Sequence, residues 1–426
     1  MKKIMVNLLI VLTILSLMTA CASKNTTTSN EKKNEKKDEV TTITWAVFKD
    51  PTPAVDNLIK KFEAENKNIK VNLQILPAGS DKIHTALVTS LGAQDDSVDI
   101  VSMDIIWPAE FAAADWIIPL DKYFKKESRS EFLKGPIEGV TYKDKVYAAP
   151  WYTDAGVLFY RSDIVKTPPK TWDELIQMSK DGSGKNGTEY GFVYQGKQFE
   201  GLVTNYLEFL WGNGGQVLKG NKAVVNSPEA VEALQFMVDL VKKEKVSPEG
   251  VTTYETEDSR RLFTEGKSVF LRNWPYVWAK SSEAESKISG KVGIAPMPKG
   301  PNGDTGAATL GGWNLAISKF SKNQDAAWKF IEFAISEEGQ KINAVDGGRI
   351  PTLEKLFNDD QVLQKNPHFK DFLPVFLQAK PRPVSPQYPA ISEKLQIHVH
   401  NALTGQESAK DALDNAAKEI NQILKK

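Results

Sequence analysis

An α/β fold with a largely parallel sheet is the class this sequence predicts, and three observations carry it. Strand-like and helix-like periodicities alternate from Thr42 onward. The strand candidates are short apolar runs separated by helix-length segments, the spacing that parallel pairing requires. About 387 residues run from Val40 to the end, more than one hydrophobic core usually supports, so two domains are expected.

The first strand is Thr42 to Phe48, after which Val55, Leu58, Ile59 and Phe62 recur at helical spacing. Ile69, Val71, Leu73 and Ile75 then alternate as the next strand, completing a β-α-β opening. A helix from about Ser80 to Leu91 leads into the apolar strand Val98 to Ser102, which stops at Met103-Asp104. In Pro168-Pro169-Lys170-Thr171-Trp172-Asp173-Glu174, Thr171 stands three residues before Glu174, so a capping box should start a helix there. Later helices show faces for burial at Val231, Leu234 and Val238, and at Trp328, Ile331 and Ile335.

The amino terminus reads Met1-Lys2-Lys3, an apolar stretch from Ile4 to Ala20, then Cys21. That order marks an export signal, and the apolar stretch is short for a membrane span. Ser16-Leu17-Met18-Thr19-Ala20-Cys21 resembles a bacterial lipobox, with Met18 in the place more often held by leucine. The resemblance implies a signal peptide over 1–20, cleavage before Cys21 and lipidation of its thiol; an uncleaved signal anchor is the alternative. The protein is then expected on the extracellular face of the bacterial cytoplasmic membrane, lipid-anchored. Cys21 is the only cysteine, so disulfides and thiolate metal sites are excluded once it is modified. From Ala22 to Glu39 no large apolar residue occurs before the body, and 21–39 reads as a flexible tether. The 54 basic and 54 acidic residues balance, which implies no nucleic-acid partner.

Enzyme motifs fail on inspection. Gly182, Gly184 and Gly187 satisfy a dinucleotide spacing but follow a helix, not a strand. Gly266-Lys267-Ser268 lacks the upstream glycine of a phosphate loop, and no nucleophile elbow or zinc-protease motif occurs. Of His84, His368, His398 and His400, the last two are two apart on a helix and face apart, so no metal site is expected. No cofactor is expected either. Two catalytic carboxylates brought together in space stay open from sequence alone, which keeps a surface glycoside hydrolase as an alternative. A binder of a non-sugar solute is the other.

Candidate ligand positions lie at aromatic and glycine-rich junctions: Ala149-Pro150-Trp151-Tyr152, Asn273-Trp274-Pro275-Tyr276 and Leu310-Gly311-Gly312-Trp313. In α/β sheets such loops at strand ends supply binding groups. Around them the sequence resembles the extracellular solute-binding proteins of ABC sugar importers, nearest their trehalose/maltose-binding branch. The resemblance is carried by Met103-Asp104 and WPAEF, PWYTDAGVLFYR from Pro150, PPKTWDEL, QGKQFEGL from Gln195, EALQFMVDL from Glu232, RNWPYVW from Arg272, TLGGW from Thr309, and PRPVSPQYP from Pro381.

That resemblance implies a periplasmic-binding-protein-like fold of two hinge-linked, discontinuous lobes, the first over 40–150 and 314–366, the second over 151–313 and 367–426. It implies a monomer that captures a gluco-configured di- or oligosaccharide, trehalose- or maltose-like, by lobe closure and passes it to permease subunits without catalysis. Carried over by position, Asp104, Tyr152, Asp154, Trp274, Gly312, Trp313 and Arg382 contact the sugar. Their chemistry suits it: carboxylates and a guanidinium fork engage vicinal hydroxyls, and aromatic rings cover apolar C–H faces. Each has a plainer reading as core tryptophan, helix cap or surface cation, and Glu200 reads equally as structural. Two first-lobe anchors of the branch are absent, with Asp50-Pro51-Thr52-Pro53 replacing a glutamate and Gly92 an arginine.

Overall fold

Each of the first strands returns through a helix, so the three pair in parallel. The computed structural model describes residues 40–77 and 79–425; the signal segment, Cys21 and the tether lie outside them. Strand β1 (Thr41–Phe48), helix α1 (Ala54–Glu65), β2 (Ile69–Leu76), α2 (Ser80–Gly92) and β3 (Ile100–Asp104) follow in order, with β1 between β2 and β3. The apolar face of α1 buries Val55, Leu58 and Phe62. At the edge, β2 keeps its alternation as far as Leu73, but Ile75 is 54% exposed and Leu76 is buried in its place.

Beyond α3 (Pro108–Ala113), β4 (Ala149–Ala155) and β5 (Val157–Arg161) are separated only by Gly156, yet they belong to different sheets. The second sheet is built with α4 (Trp172–Gly182), β6 (Tyr190–Val193), α5 (Glu200–Gly212), α6 (Pro228–Lys242), β7 (Ser268–Asn273) and β8 (Val292–Ala295). The chain then re-enters the first sheet as β9 (Ala308–Ile317), followed by α7 (Gln324–Ile335), α8 (Glu337–Gly347) and the short β10 (Ala379–Lys380). Helices α9 (Tyr388–Thr404) and α10 (Ala409–Ile423) pack on the second sheet's core.

The larger sheet runs β10-β9-β3-β1-β2, with β4 also paired to β9; the smaller runs β8-β5-β7-β6. The expected parallel character holds for β1 to β3, for β9 with β10 and for β6 with β7, while the remaining pairings of the two sheets are antiparallel. Strand β9 is antiparallel to both β3 and β4, because it arrives from the other half of the molecule rather than through a local crossover helix. Each sheet has its own core. Trp45, Phe62, Trp151 and Phe330 anchor one, and Phe192, Tyr206, Leu234 and Leu413 the other. Each such side chain stabilises by roughly 1.5–3 kcal/mol on burial. The result is a two-lobe α/β fold joined by strands that change sheet.

Two local expectations are corrected. Thr171 Oγ1 does cap α4 by accepting from the Glu174 amide at 3.3 Å, but the Glu174 carboxylate reaches one residue further back, to the Lys170 amide at 2.6 Å. The same entry is bonded on both sides to Lys299, whose carbonyl accepts from the Trp172 amide and whose amide donates to the Lys170 carbonyl, each at 3.0 Å. On α6 the buried face is centred on Ala230, Ala233, Leu234, Met237 and Val241, which leaves Val231 and Val238 on its flanks.

Candidate functional site

Asp104 ends β3 as the sheet gives out, so its carboxylate leaves the core at a strand's carboxyl edge. There it faces a cleft of about 820 Å³ whose walls come from both sheets. The larger sheet brings Asp104, Asp154 and the β9 segment Gly312-Trp313 to it, with the start of α2 and Trp107 beside them; Trp274 follows β7 of the smaller sheet, and Glu200, Arg382 and Tyr388 complete the lining. Six of the seven sugar-contact positions expected from sequence therefore meet in one hollow. Tyr152 is not among the lining residues: it is 4% exposed, and the Arg349 guanidinium sits 4.9 Å from its ring centroid.

A charged chain crosses the hollow. Arg382, 6% exposed, donates from Nη1 to Glu200 Oε1 at 2.7 Å and from Nη2 to Asp104 Oδ1 and to the Leu310 carbonyl, both at 3.4 Å. Glu200 in turn accepts from the Tyr388 hydroxyl at 2.5 Å and from the Ser392 hydroxyl. Asp104 also accepts from Ser80 Oγ at 3.2 Å. Burial raises the Asp104 pKa, Arg382 opposes that rise, and Glu200 adds to it. Asp154 differs, because its carboxyl accepts no hydrogen bond among the described residues. Burial pushes it up to about 7, with Arg349 pulling down and Asp104 pushing up.

The aromatic walls are fixed from behind. Trp313 packs between Phe48 at 4.7 Å and Trp107 at 5.7 Å, ring centroid to centroid. The Arg272 guanidinium lies 4.5 Å from the Trp274 ring centroid, and the Trp274 amide donates to Asn273 Oδ1 at 2.8 Å. Gly312 has φ +111°, and a Cβ there would lie 2.5 Å from the Tyr152 carbonyl oxygen, so only glycine lets β9 pass β4 at this point.

Sequence reasoning misses several groups. Tyr388 stands inside the PRPVSPQYP block, and its spacing to Ser392 puts both on one face of α9 toward Glu200. Glu200, ambiguous in sequence, is a central member of the charged chain. His84 lines the cleft, with Nε2 2.8 Å from Glu110, whereas packing or surface roles were the expectation. Arg349 carries no sequence signal at all; it follows the αL turn at Gly348 and reaches Asp50 Oδ1 at 3.7 Å. Asp50 makes that contact and accepts from the Thr52 amide and hydroxyl through Oδ1, while its buried Oδ2 has no partner among the described residues, and it does not line the cleft. His398 faces Glu407 and His400 faces the Thr252 carbonyl, on different sides of α9. Among the described residues no group of three metal-ligating side chains forms, and no helix is long and apolar enough to cross a membrane.

A two-lobed α/β body with a polar, aromatic-walled cleft between its sheets defines a binding protein. Residues 45–341 match the family described as bacterial extracellular solute-binding protein, and the chain belongs to that family, the binding subunits of ABC importers. Such proteins act outside the cytoplasmic membrane and do not convert what they bind. Among relatives, a probable ABC transporter-binding protein of Deinococcus radiodurans is 35% identical over 83% of this chain and 86% of its own length. The maltodextrin-binding protein MdxE of Bacillus subtilis is 25% identical over 71% of this chain and 72% of its own. Among solved structures, maltose-bound MalE3 of T. maritima is 42% identical, with TM-score 0.79, covering 89% of this chain and 99% of that one.

Proposed function

We propose that this protein captures a neutral, gluco-configured di- or oligosaccharide of the maltose or trehalose type and delivers it to the permease of an ABC importer. The observation that carries the reading is the pairing, in one cleft, of the unpartnered Asp154 carboxyl with the Trp274 and Trp313 rings and the Arg382 guanidinium. Asp154, Asp104 and Arg382 engage hydroxyls, and the indoles cover C–H faces of the rings. Tyr152 contributes from behind, after a small rotation or through water. The maltose-bound and maltodextrin-binding relatives support the sugar class. Because groups from both sheets touch one ligand, the closed form gains by the differential affinity, and binding draws the lobes together.

The same reading divides the chain into a first lobe over 40–150 and 314–366 and a second over 151–313 and 367–426, monomeric and tethered to the membrane through lipidated Cys21. Calorimetry of the purified protein against maltose, trehalose, sucrose and maltodextrins tests the sugar reading. Saturable, stoichiometric binding of at least one is expected, and failure of all four overturns it.

A further inference from the structure

Beneath the Trp274 wall lies an ion pair that never reaches the cleft. Arg272 on β7 is 0% exposed and Glu208 on α5 is 1% exposed. Arg272 donates from Nε to Glu208 Oε2 at 2.7 Å, from Nη2 to Glu208 Oε1, and from Nη1 to Gln195 Oε1 at 3.1 Å. Glu208 Oε1 also accepts from the amide of Thr309 at 3.1 Å, while Thr309 Oγ1 donates to the Thr204 carbonyl at 2.8 Å. The Thr309 carbonyl accepts from the amide of Gly156 at 3.1 Å. Gly156 is the single residue between β4 and β5, which belong to different sheets, and Thr309 is the second residue of β9, just after the chain re-enters the larger sheet. A Cβ on Gly156 would overlap the Glu208 carboxylate and the Arg272 guanidinium, so the crossing is shaped around the pair.

We propose that Arg272 and Glu208 are positioning residues that fix the Trp274 ring and tie it to the β4–β5 crossing at Gly156 and to the start of β9 at Thr309. Burying two charges is costly, and an apolar pair of similar volume would serve packing as well or better. What an apolar pair cannot supply is direction. The guanidinium fork holds one plane against the indole, and the carboxylate has a remaining lone pair for the crossing strand's amide. Helix α5 extends the connection: Glu200, Thr204 and Glu208 are four residues apart and share a face, so one helix side touches Arg382 in the cleft and Thr309 at the start of β9.

The inference rests on Trp274 being a sugar contact, and a double-mutant cycle separates the two ideas. Maltose affinity is measured by calorimetry on the full chain for wild type, Arg272→Lys, Trp274→Ala and the double variant, with maltose-induced change in radius of gyration as a second readout. Arg272→Lys should weaken maltose binding about tenfold in the wild-type background. It should have little further effect once Trp274 is alanine, and it should diminish the maltose-induced compaction. Wild-type affinity in Arg272→Lys, or the same fold-loss in both backgrounds, overturns the positioning role while leaving the sugar reading intact. A wild type that binds no sugar overturns both. Should Arg272→Lys fail to fold, Glu208→Gln carries the same comparison, since it keeps an acceptor for Thr309 and removes the charge.

Discussion

Asp154 and Trp274 show how single residues acquire function from their surroundings. The Trp274 backbone is held by a hydrogen bond from its amide to Asn273 Oδ1 and its ring by the Arg272 cation behind it, so little side-chain entropy is lost on binding. Trp274→Ala should weaken maltose binding by roughly 1–4 kcal/mol with little loss of fold, read by calorimetry and thermal melting. Asp154 has its folded-state pKa raised to about 7, above the ordinary carboxyl value of 3.8. Ionising it therefore costs the unliganded fold, and its contribution to stability is greatest at low pH and lost as pH rises through about 7. A sugar donating hydroxyls favours the ionised form. Affinity should thus rise on the order of tenfold from pH 5.5 to 8, and Asp154→Asn should flatten that profile. A wild-type profile without slope would contradict the role given to this carboxyl.

At the scale of elements, β9 is the strand on which the site depends. It pairs with β3 and β4 on its two sides, places Trp313 opposite Asp104 and Gly311 opposite Asp154, and shifts register between Trp313 and Asn314. The positive φ of Gly312 allows that close passage. Gly312→Ala should cost more than about 2 kcal/mol of stability and disturb both walls at once, seen as a lower melting temperature together with weaker maltose binding. Unchanged melting would mean that β9 tolerates a side chain where the backbones meet. The β-α-β opening was legible because periods of two and 3.6 residues are local properties. The mixed sense of the larger sheet was not, since antiparallel entry of β9 depends on where a distant segment comes from.

For the whole molecule, two sheets, each with a core of its own and joined by a third apolar cluster at the strand crossings, share a cleft, an arrangement suited to hinge motion around a ligand. Maltose should lower the radius of gyration measured by X-ray scattering, and an unchanged value at saturation would exclude closure. Because the proposed ligand is neutral, its affinity should change little between 50 and 500 mM salt at pH 8, beyond what the internal ion pairs transmit. A steep salt dependence would instead point to an anionic or cationic solute.

The sequence by itself determined the alternation of elements, the absence of enzyme motifs and six positions that gather in the cleft, Asp104, Asp154, Trp274, Gly312, Trp313 and Arg382. These rest on composition, short-range periodicity and contiguous blocks such as TLGGW and RNWPYVW. Only the tertiary structure decided that Glu200 belongs to the charged chain, that Tyr152 stands behind the wall beside Arg349, and that Arg272 and Glu208 underlie Trp274. Those facts depend on pairings between residues separated by tens to hundreds of positions, whose energies come from burial and from the direction of individual hydrogen bonds, and neither leaves a periodic trace in the chain.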